Sequence, residues 1–440
     1  MKLRRIAWIL MATLMLSCLA GCDSKNKSEQ EVSTPKDYSG LMSYFKGKAI
    51  EKEVTCWYTS DGDKAWLETA AKDFEKEYGI QVNLVYYDGV NLFDDMNQAN
   101  QKGKGPDVFL AGNDQIEIAA LSGMTQENTW LTDSLWQDNY PDTAKRAVTY
   151  KGKQYGYPVY FDTYCLVYDA NLLVNAPASI EDILAFADEY EDTGSTKAIF
   201  RWDVADPYIN TMFLASYAEL FGENGDDSTV FKVNNEKCIA SMEYFQSLSA
   251  YLWMNKNNIS HDTVMNRIKE GTLVLGLCKS DILPTLYEMQ GNKKGKSEET
   301  EADVEGDQTL EETDYQISYV PSLTAELSST TLSTTYSAFV NPYGRDASLG
   351  NMFAMYLSLG QAKKQYDGNG KLPVANKDVE LDELQSVIYA QYLNSEPVPK
   401  VIVLGDYLSE GGIAFDAIWE GKDVKEQLDW LQGTMEEKIK

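Results

Sequence analysis

Acidic and aromatic side chains are abundant in this sequence, and both kinds can take part in binding or catalysis. The chain has 28 Tyr, 9 Trp and 68 Asp plus Glu, but only one histidine, His261. Carboxylates accept hydrogen bonds and aromatic rings offer flat apolar surfaces, a combination typical of ligand pockets. A histidine triad or a multi-histidine metal site would have to use His261, which we expect at a helix start with no functional role. Most hydrolase and metalloenzyme classes that depend on histidine are therefore not expected, and neither a metal nor a cofactor is expected.

The net charge and the cysteine content exclude further kinds of partner and site. The 440 residues carry 39 Lys plus Arg, so the formal net charge is -29, which opposes nucleic acid as a partner. The length suits two or three domains. No Cys-x-x-Cys pair occurs among the six cysteines. Four of them lie in apolar or amphipathic runs, where we expect buried free thiols: Cys56, Cys165, Cys238 and Cys278.

The N-terminus has the layout of a secretory signal peptide. A basic start, Met1–Arg5, precedes the apolar run Ile6–Leu16. The following Leu19-Ala20-Gly21-Cys22 resembles the lipobox of bacterial lipoproteins. That resemblance implies a signal peptide at 1–21, a diacylated Cys22 and a tether at 22–50 that holds the protein on the outer face of the cell membrane. The alternative is an ordinary cleavage site beside an incidental cysteine.

The rest of the chain reads as an α/β protein. A β-rich run at 53–58 is followed by helical periodicity over 64–78, a strand at 80–87, a short helix at 92–101 and an apolar strand at 107–111. This alternation predicts a parallel sheet covered by helices, and the same pattern returns in the second half. An acidic stretch at 291–314 is predicted to be a surface insertion, with an acidic binding arm as the alternative.

Several short motifs resemble, in the same order, the extracellular solute-binding proteins of bacterial ABC importers, in particular the maltose/maltodextrin-binding type. They are Phe74-Glu75-Lys76-Glu77-Tyr78-Gly79-Ile80-Gln81-Val82, Gly103-Lys104-Gly105-Pro106-Asp107-Val108, Tyr150-Lys151-Gly152-Lys153-Gln154-Tyr155-Gly156-Tyr157-Pro158, Asp206-Pro207-Tyr208 and Ile268-Lys269-Glu270-Gly271. The resemblance covers about 380 residues, from Val54 onward. Each motif alone is weak, but the ordered set together with the lipobox is specific.

The resemblance implies two discontinuous α/β lobes hinged around a central cleft. Lobe 1 would comprise 51–160 plus 322–373, and lobe 2 would comprise 161–321 plus 374–440, with crossings near 158–162, 320–323 and 373–377. It also implies a monomer that captures a sugar, closes over it and delivers it to the membrane subunits of an ABC permease.

Sugar rings have apolar faces that stack on aromatic side chains and hydroxyl rims that need carboxylate or amide acceptors. The positions that match the family's cleft give the predicted ligand-binding residues: Asp61, Asp63, Trp66, Asn113, Asp114, Gln115, Asp162, Trp202, Asp206, Tyr208, Tyr336 and Tyr407. Alternatives stay open for several of them. Asp61 and Asp63 could cap the helix that follows, Asp162 could form a salt bridge at the hinge, and an aromatic such as Trp202 could be core.

Departures from the family leave the ligand open. Leu110 and Cys278 stand where maltodextrin binders tend to carry tryptophans, and Asp162 replaces a glutamate. A sugar or oligosaccharide similar to malto-oligosaccharides is the expected ligand. A non-sugar solute such as a polyamine is the alternative, because an acidic cleft suits a cation. A surface glycoside hydrolase, which needs two carboxylates and no histidine, is a less favoured one.

Overall fold

The described part of the chain, in a computed structural model, comprises residues 37–190, 197–299, 313–362 and 375–440. The predicted signal peptide, Cys22 and residues 300–312 of the predicted acidic insertion lie outside it. Within the described ranges, no helix combines the length and apolar character needed to cross a bilayer.

Helices and strands alternate through most of these residues. The α-helices are α1 (Tyr38–Lys46), α2 (Lys64–Tyr78), α3 (Leu92–Gln101), α4 (Ile116–Leu121), α5 (Asp133–Asn139), α6 (Asp142–Ala147), α7 (Ile180–Glu189), α8 (Pro207–Asn210), α9 (Glu236–Leu252), α10 (His261–Lys269), α11 (Leu283–Glu299), α12 (Ala347–Met355), α13 (Glu383–Leu393), α14 (Leu404–Trp419) and α15 (Val424–Lys438). The strands are β1 (Glu53–Tyr58), β2 (Gln81–Tyr86), β3 (Val108–Gly112), β4 (Thr149–Tyr150), β5 (Lys153–Gln154), β6 (Tyr157–Asp169), β7 (Ala198–Arg201), β8 (Glu219–Leu220), β9 (Phe231–Lys232), β10 (Leu273–Lys279), β11 (Tyr315–Ser318), β12 (Leu332–Val340) and β13 (Glu396–Pro397).

The first helix of the sheet region shows how local sequence sets an element. Trp66, Ala70 and Phe74 recur every four residues in α2 and are buried together on one face. The helix ends at Gly79, whose φ of 67° lies in the left-handed region that glycine adopts without a Cβ penalty. Both features follow from the spacing of residues alone, and the predicted bounds 64–78 are confirmed.

One large mixed sheet organises the fold. Its strand order is β2-β1-β3-β12-β6-β10-β7, with β11 also paired to β6 and β13 to β12. Strand β1 is parallel to β2 and β3, while β12 runs antiparallel to both β3 and β6. The long strand β6 pairs with β12 through its first half and with β10 and β11 through its second half. It therefore connects the two halves of the sheet.

Two hydrophobic cores lie along this sheet. The first contains buried residues of β1, β3, α2 and α12, and the second contains those of α7, α9, α14 and α15. Successive residues of β6 alternate between them: Cys165 and Val167 join the first core, whereas Tyr164 and Leu166 join the second. This alternation is the two-residue period of a strand with both faces covered.

The cysteines and the single histidine lie in well-defined places in the fold. The four cysteines outside the N-terminal region are buried free thiols, as predicted. His261 is the first residue of α10, and its Nε2 lies 3.0 Å from a carboxylate oxygen of Asp281.

Candidate functional site

Side chains at the ends of neighbouring strands converge on Tyr336 of β12. The pKa of the Tyr336 phenol is raised mainly by burial and then by the negative charges of Asp162, Asp114 and Asp63. These carboxylates come from three elements that the sheet order brings together. We call the following group the tyrosine–carboxylate cluster: Asp63, Asp114, Tyr160, Asp162, Tyr208 and Tyr336.

Two tyrosines of the cluster form an aromatic platform. The rings of Tyr160 and Tyr336 are stacked, with centroids 4.6 Å apart and planes 16° from parallel. The residues are direct partners in the antiparallel pairing of β6 and β12, and the register shifts immediately after Tyr336. Cross-strand partners lie close enough for their rings to touch, so the pairing itself sets the stack.

Asp63 holds this platform in place. Its Oδ2 accepts a hydrogen bond from the Tyr160 hydroxyl at 3.1 Å, and its Oδ1 accepts one from Trp66 Nε1 at the same distance. Asp63 is only 3% exposed, and this burial raises its pKa to about 6 despite both hydrogen bonds. Its side chain makes no capping hydrogen bond to α2, so the alternative capping role is not realised.

Asp114 reaches the cluster because the preceding strand ends in glycine. A Cβ on Gly112 would lie 2.3 Å from Asp114 Oδ1 and 2.9 Å from Thr334 Cγ2, so a larger residue here would displace the Asp114 carboxylate. Gln115 Nε2 donates to Asp114 Oδ2 and orients the carboxylate. Burial raises the pKa of Asp114.

Asp162 is fixed from across the sheet. Its Oδ1 accepts hydrogen bonds from the Ser280 backbone N–H at 3.1 Å and from the Ser280 hydroxyl. Burial raises the pKa of Asp162, whereas Ser280 and the ammonium of Lys279 lower it. The alternative role for Asp162 is a salt bridge at the hinge. Its hydrogen-bond partner is instead Ser280, and the ammonium of Lys279 lies nearby.

Lys279 contributes a positive charge to the site, and no motif in the sequence points to it. Its Nζ lies 5.7 Å from the ring centre of Tyr164 and 5.8 Å from that of Tyr208. Distances of this size allow a cation–π attraction. Lys279 directly follows Cys278, where the resemblance to maltodextrin binders predicts a tryptophan.

Tyr208 and Asp206 border the second half of the sheet. The Tyr208 hydroxyl lies 3.0 Å from Thr334 Oγ1, and the Tyr164 hydroxyl donates to Asp206 Oδ2 at 3.0 Å. Asp206 also caps α8 by accepting the Tyr208 N–H at 2.9 Å. Asp206 thus combines a structural role with a position beside the cluster.

Four of the predicted ligand-binding residues have side chains with almost no exposed surface. Trp202 is fully buried in the second core and donates from Nε1 to Asn210 Oδ1 at 3.0 Å. Tyr407 is equally buried and bonds through its hydroxyl to Thr211. Trp66 supports Asp63, and Asn113 ties the chain together by donating to the Val398 carbonyl and accepting from the Thr335 N–H.

Two further tyrosines extend the site toward the sheet edge. Tyr58 and Tyr86 end the parallel strands β1 and β2, and their ring centres lie 5.4 Å apart. Burial, followed by the charge of Asp61, raises the pKa of Tyr58. Asp61 is exposed in the turn after β1. Tyr86 is 45% exposed, so this end of the site presents an aromatic surface to solvent.

The tyrosine–carboxylate cluster combines aromatic rings with hydrogen-bond acceptors. Both oxygens of Asp63 and Oδ1 of Asp162 accept hydrogen bonds from internal donors. No group of histidine, cysteine and acidic side chains in the described residues could hold a metal. What remains is a stacked tyrosine pair, partly accessible tyrosines, carboxylate acceptors and one ammonium. This is a set for recognising a ligand with a flat face and several hydroxyls.

A two-lobed α/β solute-binding protein is the class that this sheet and site define. Residues 69–332 match the family of bacterial extracellular solute-binding proteins, and the chain belongs to that family. It is 30% identical over 243 residues to the "Maltooligosaccharide ABC transporter solute-binding lipoprotein" of Streptococcus pneumoniae serotype 4, covering 54% of this chain and 53% of the relative. It is 27% identical over 231 residues to the "Maltodextrin-binding protein MdxE" of Bacillus subtilis, covering 50% of this chain and 54% of that relative.

The fold is shared over a longer stretch. An extracellular solute-binding protein of Staphylococcus aureus, solved in complex with maltose, superposes with a TM-score of 0.74 at 20% identity, covering 89% of this chain and 98% of that one. The predicted fold class is thereby confirmed. In sequence, the chain spans about half the length of the two relatives above.

Proposed function

We propose that this protein is the lipid-anchored binding component of a carbohydrate ABC importer and that it captures a malto-oligosaccharide-like sugar. One observation carries the proposal: the stacked Tyr160–Tyr336 pair is surrounded by the carboxylates of Asp63, Asp114 and Asp162. A sugar ring packs its C–H face on such a platform, and Asp114 has acceptor capacity for the ring's hydroxyls. The names of the relatives supply the sugar class.

The length of the site favours an oligosaccharide over a single sugar. Five neighbouring strands of the sheet follow the order β2-β1-β3-β12-β6. All of them except β3 contribute a tyrosine, at the ends of β2 and β1 and on β12 and β6. Neighbouring strands are spaced by about 4.8 Å, so this row extends roughly 19 Å. A chain of several sugar rings can contact Tyr86 at one end and Tyr208 at the other.

Capture proceeds without chemical change to the ligand. The proposed lobes are 51–160 plus 322–373 and 161–321 plus 374–440, and each lines one side of the cleft. A ligand held by Asp114 on one side and Tyr208 on the other stabilises the closed state over the open one. The closed form would then dock on the permease, and an acidic surface is available to meet basic residues there.

Cys22 would keep the protein beside its permease. Two acyl chains on this residue hold a protein stably at a membrane, which raises its effective concentration near the transporter. The family places the protein outside the cytoplasm, and the lipid itself is the proposed means of retention.

The residues of the site argue against both alternatives, a polyamine ligand and a glycoside hydrolase. A polyamine would meet the ammonium of Lys279, which already lies against Tyr164 and Tyr208. A glycoside hydrolase needs one carboxylate free to attack or activate water and another free to donate a proton. Both oxygens of Asp63 and Oδ1 of Asp162 are instead held by internal donors.

A calorimetric screen tests the proposal. Lys36–Lys440 forms one compact unit, so a chain starting at Lys36 is titrated with maltose, maltotetraose, xylo- and fructo-oligosaccharides and spermidine. A ligand at 100 times its dissociation constant should add about 2.7 kcal/mol of stability. We expect one of the sugars to bind without being hydrolysed. Tyr336→Ala should abolish that binding. Tyr251→Ala, an exposed tyrosine of α9, is the control and should bind normally. Binding of spermidine alone, or hydrolysis of the sugar, would contradict the proposal.

A further inference from the structure

A small cavity next to the edge strand β7 is lined by two arginines. It has a volume of about 220 Å³, and its walls include Arg201, Arg267, Asn255, Asn258 and Trp253. No acidic residue lines it. The cavity shares no residue with the tyrosine–carboxylate cluster.

Neither arginine has an acidic partner in the part of the chain that the structure describes. Arg146 and Arg345 do, since they pair with Glu396 and Glu53. Arg201 donates from Nη1 to the Phe200 carbonyl at 2.7 Å and makes no ion pair in the described ranges. The chain has 68 acidic and 39 basic residues, yet the lining of this cavity includes two guanidiniums and no carboxylate.

The two guanidinium charges repel each other, and Arg201 is half-buried whereas Arg267 is exposed. Burial lowers the pKa of Arg201, and the neighbouring charge of Arg267 lowers it further. An anion between the two guanidiniums would neutralise that repulsion and replace lost water contacts. The cavity is therefore complementary to negative charge.

The remaining walls supply neutral donors and an aromatic face. Asn255 Oδ1 accepts the Asn257 N–H at 2.9 Å, which fixes the amide oxygen and leaves the NH₂ group as the donor. Trp253 follows α9 in the left-handed conformation, with φ 47° and ψ 39°, and is 86% exposed. An exposed tryptophan held in this backbone conformation stands at the mouth of a cationic cavity.

We propose that the Arg201–Arg267 cavity binds a phosphate group. Two planar guanidinium forks match the oxygens of a phosphate, and the amide of Asn255 adds a donor from a third direction. Free phosphate and the headgroup of an anionic phospholipid share this chemistry. The second source is relevant to a protein that is tethered at a membrane surface.

Titration of inorganic phosphate into the chain from Lys36 tests the proposal at low ionic strength. We expect saturable binding and a rise in melting temperature. Arg201→Gln and Arg267→Gln should each weaken binding at least tenfold, and the double variant should abolish it. Lys153→Gln removes one exposed positive charge from β5 and should leave binding unchanged.

Vesicles separate the two sources of phosphate. The same chain, which lacks the lipid anchor, is sedimented with phosphatidylcholine vesicles with or without phosphatidylglycerol. Arginine-dependent binding to the anionic vesicles assigns the cavity to lipid headgroups, and binding to inorganic phosphate alone assigns it to the free ion. Absence of both, or wild-type binding by the double variant, overturns the proposal. Neither result depends on whether a sugar binds, so the proposed function is tested separately.

Discussion

The hydroxyl of Tyr160 donates to Oδ2 of Asp63 at 3.1 Å and thereby joins the turn after β1 to the first half of β6. Asp63 accepts from Trp66 with its other oxygen, so both of its oxygens are used inside the protein. Asp63 is therefore a positioning residue for the ring of Tyr160, and the ring of Tyr160 in turn supports Tyr336.

Tyr160→Phe tests this relationship. The variant leaves the buried Asp63 carboxylate without one donor, which costs about 1–3 kcal/mol of stability, and it frees the ring from its fixed orientation. We expect sugar affinity to fall several-fold in calorimetry. Tyr140→Phe removes another buried tyrosine hydroxyl, one that contacts Ser358, and should cost stability without loss of affinity. Equal affinities in the two variants would refute the positioning role.

The raised pKa of Asp63 predicts a pH dependence of stability. Its value is about 6 in the folded protein, against an ordinary 3.8. Between these values the folded state binds a proton that the unfolded state does not, so stability rises as pH falls from 6 to 4, by up to about 3 kcal/mol. Denaturant unfolding across this range should show a shallower dependence in Asp63→Asn than in the wild type. Identical slopes would show that Asp63 titrates normally.

Lys279 should tune ligand affinity through Asp162. The ammonium lowers the pKa of Asp162, so Lys279→Met should let that pKa rise further and remove the cation–π contacts with Tyr164 and Tyr208. We expect roughly tenfold weaker sugar binding, with the loss of affinity at low pH starting at a higher pH. Lys269→Met, an exposed residue of α10, is the control. An unchanged pH profile would rule out coupling between Lys279 and Asp162.

Lys400 is a buried cation outside the binding site. It is 1% exposed, and its Nζ donates to the carbonyls of Arg146 and Asn224. Burial lowers its pKa from 10.5 to about 8. Between pH 8 and 10.5 the unfolded state binds more protons than the folded state at this residue, so stability should rise with pH across this range. Lys400→Met should lose that rise in thermal melts, and a rise that persists in the variant would assign it to other groups.

Cys22 should decide where the protein is found. Cys22→Ser in the full-length chain should abolish labelling by radioactive palmitate and release the protein from the membrane fraction, because the acyl chains are its proposed anchor. Cys18→Ser, within the predicted signal peptide, is the matched control and should remain labelled. Membrane retention of Cys22→Ser without label would indicate a different means of attachment.

The sequence alone determined the local elements and the family. The period of buried residues in α2, the left-handed glycine after it and the apolar run of β3 depend only on neighbours in the chain. The order of short motifs then led to the two-lobed binding fold. These signals are local, and local periodicity is sufficient to predict elements of this length.

Only the tertiary structure decided which side chains reach the site. Trp202 and Tyr407 appeared suited to stacking, but packing turned both into the second core. Tyr160 and Lys279 gave no distinctive local signal, and the pairing of β6 with β12 and β10 brought them beside Tyr336 and Tyr208. In a sheet buried on both faces, aromatic residues are equally suited to core and cleft, so the composition of a strand cannot distinguish them. Register across strands far apart in sequence makes that choice, because it fixes which rings meet and which carboxylates lie beside them.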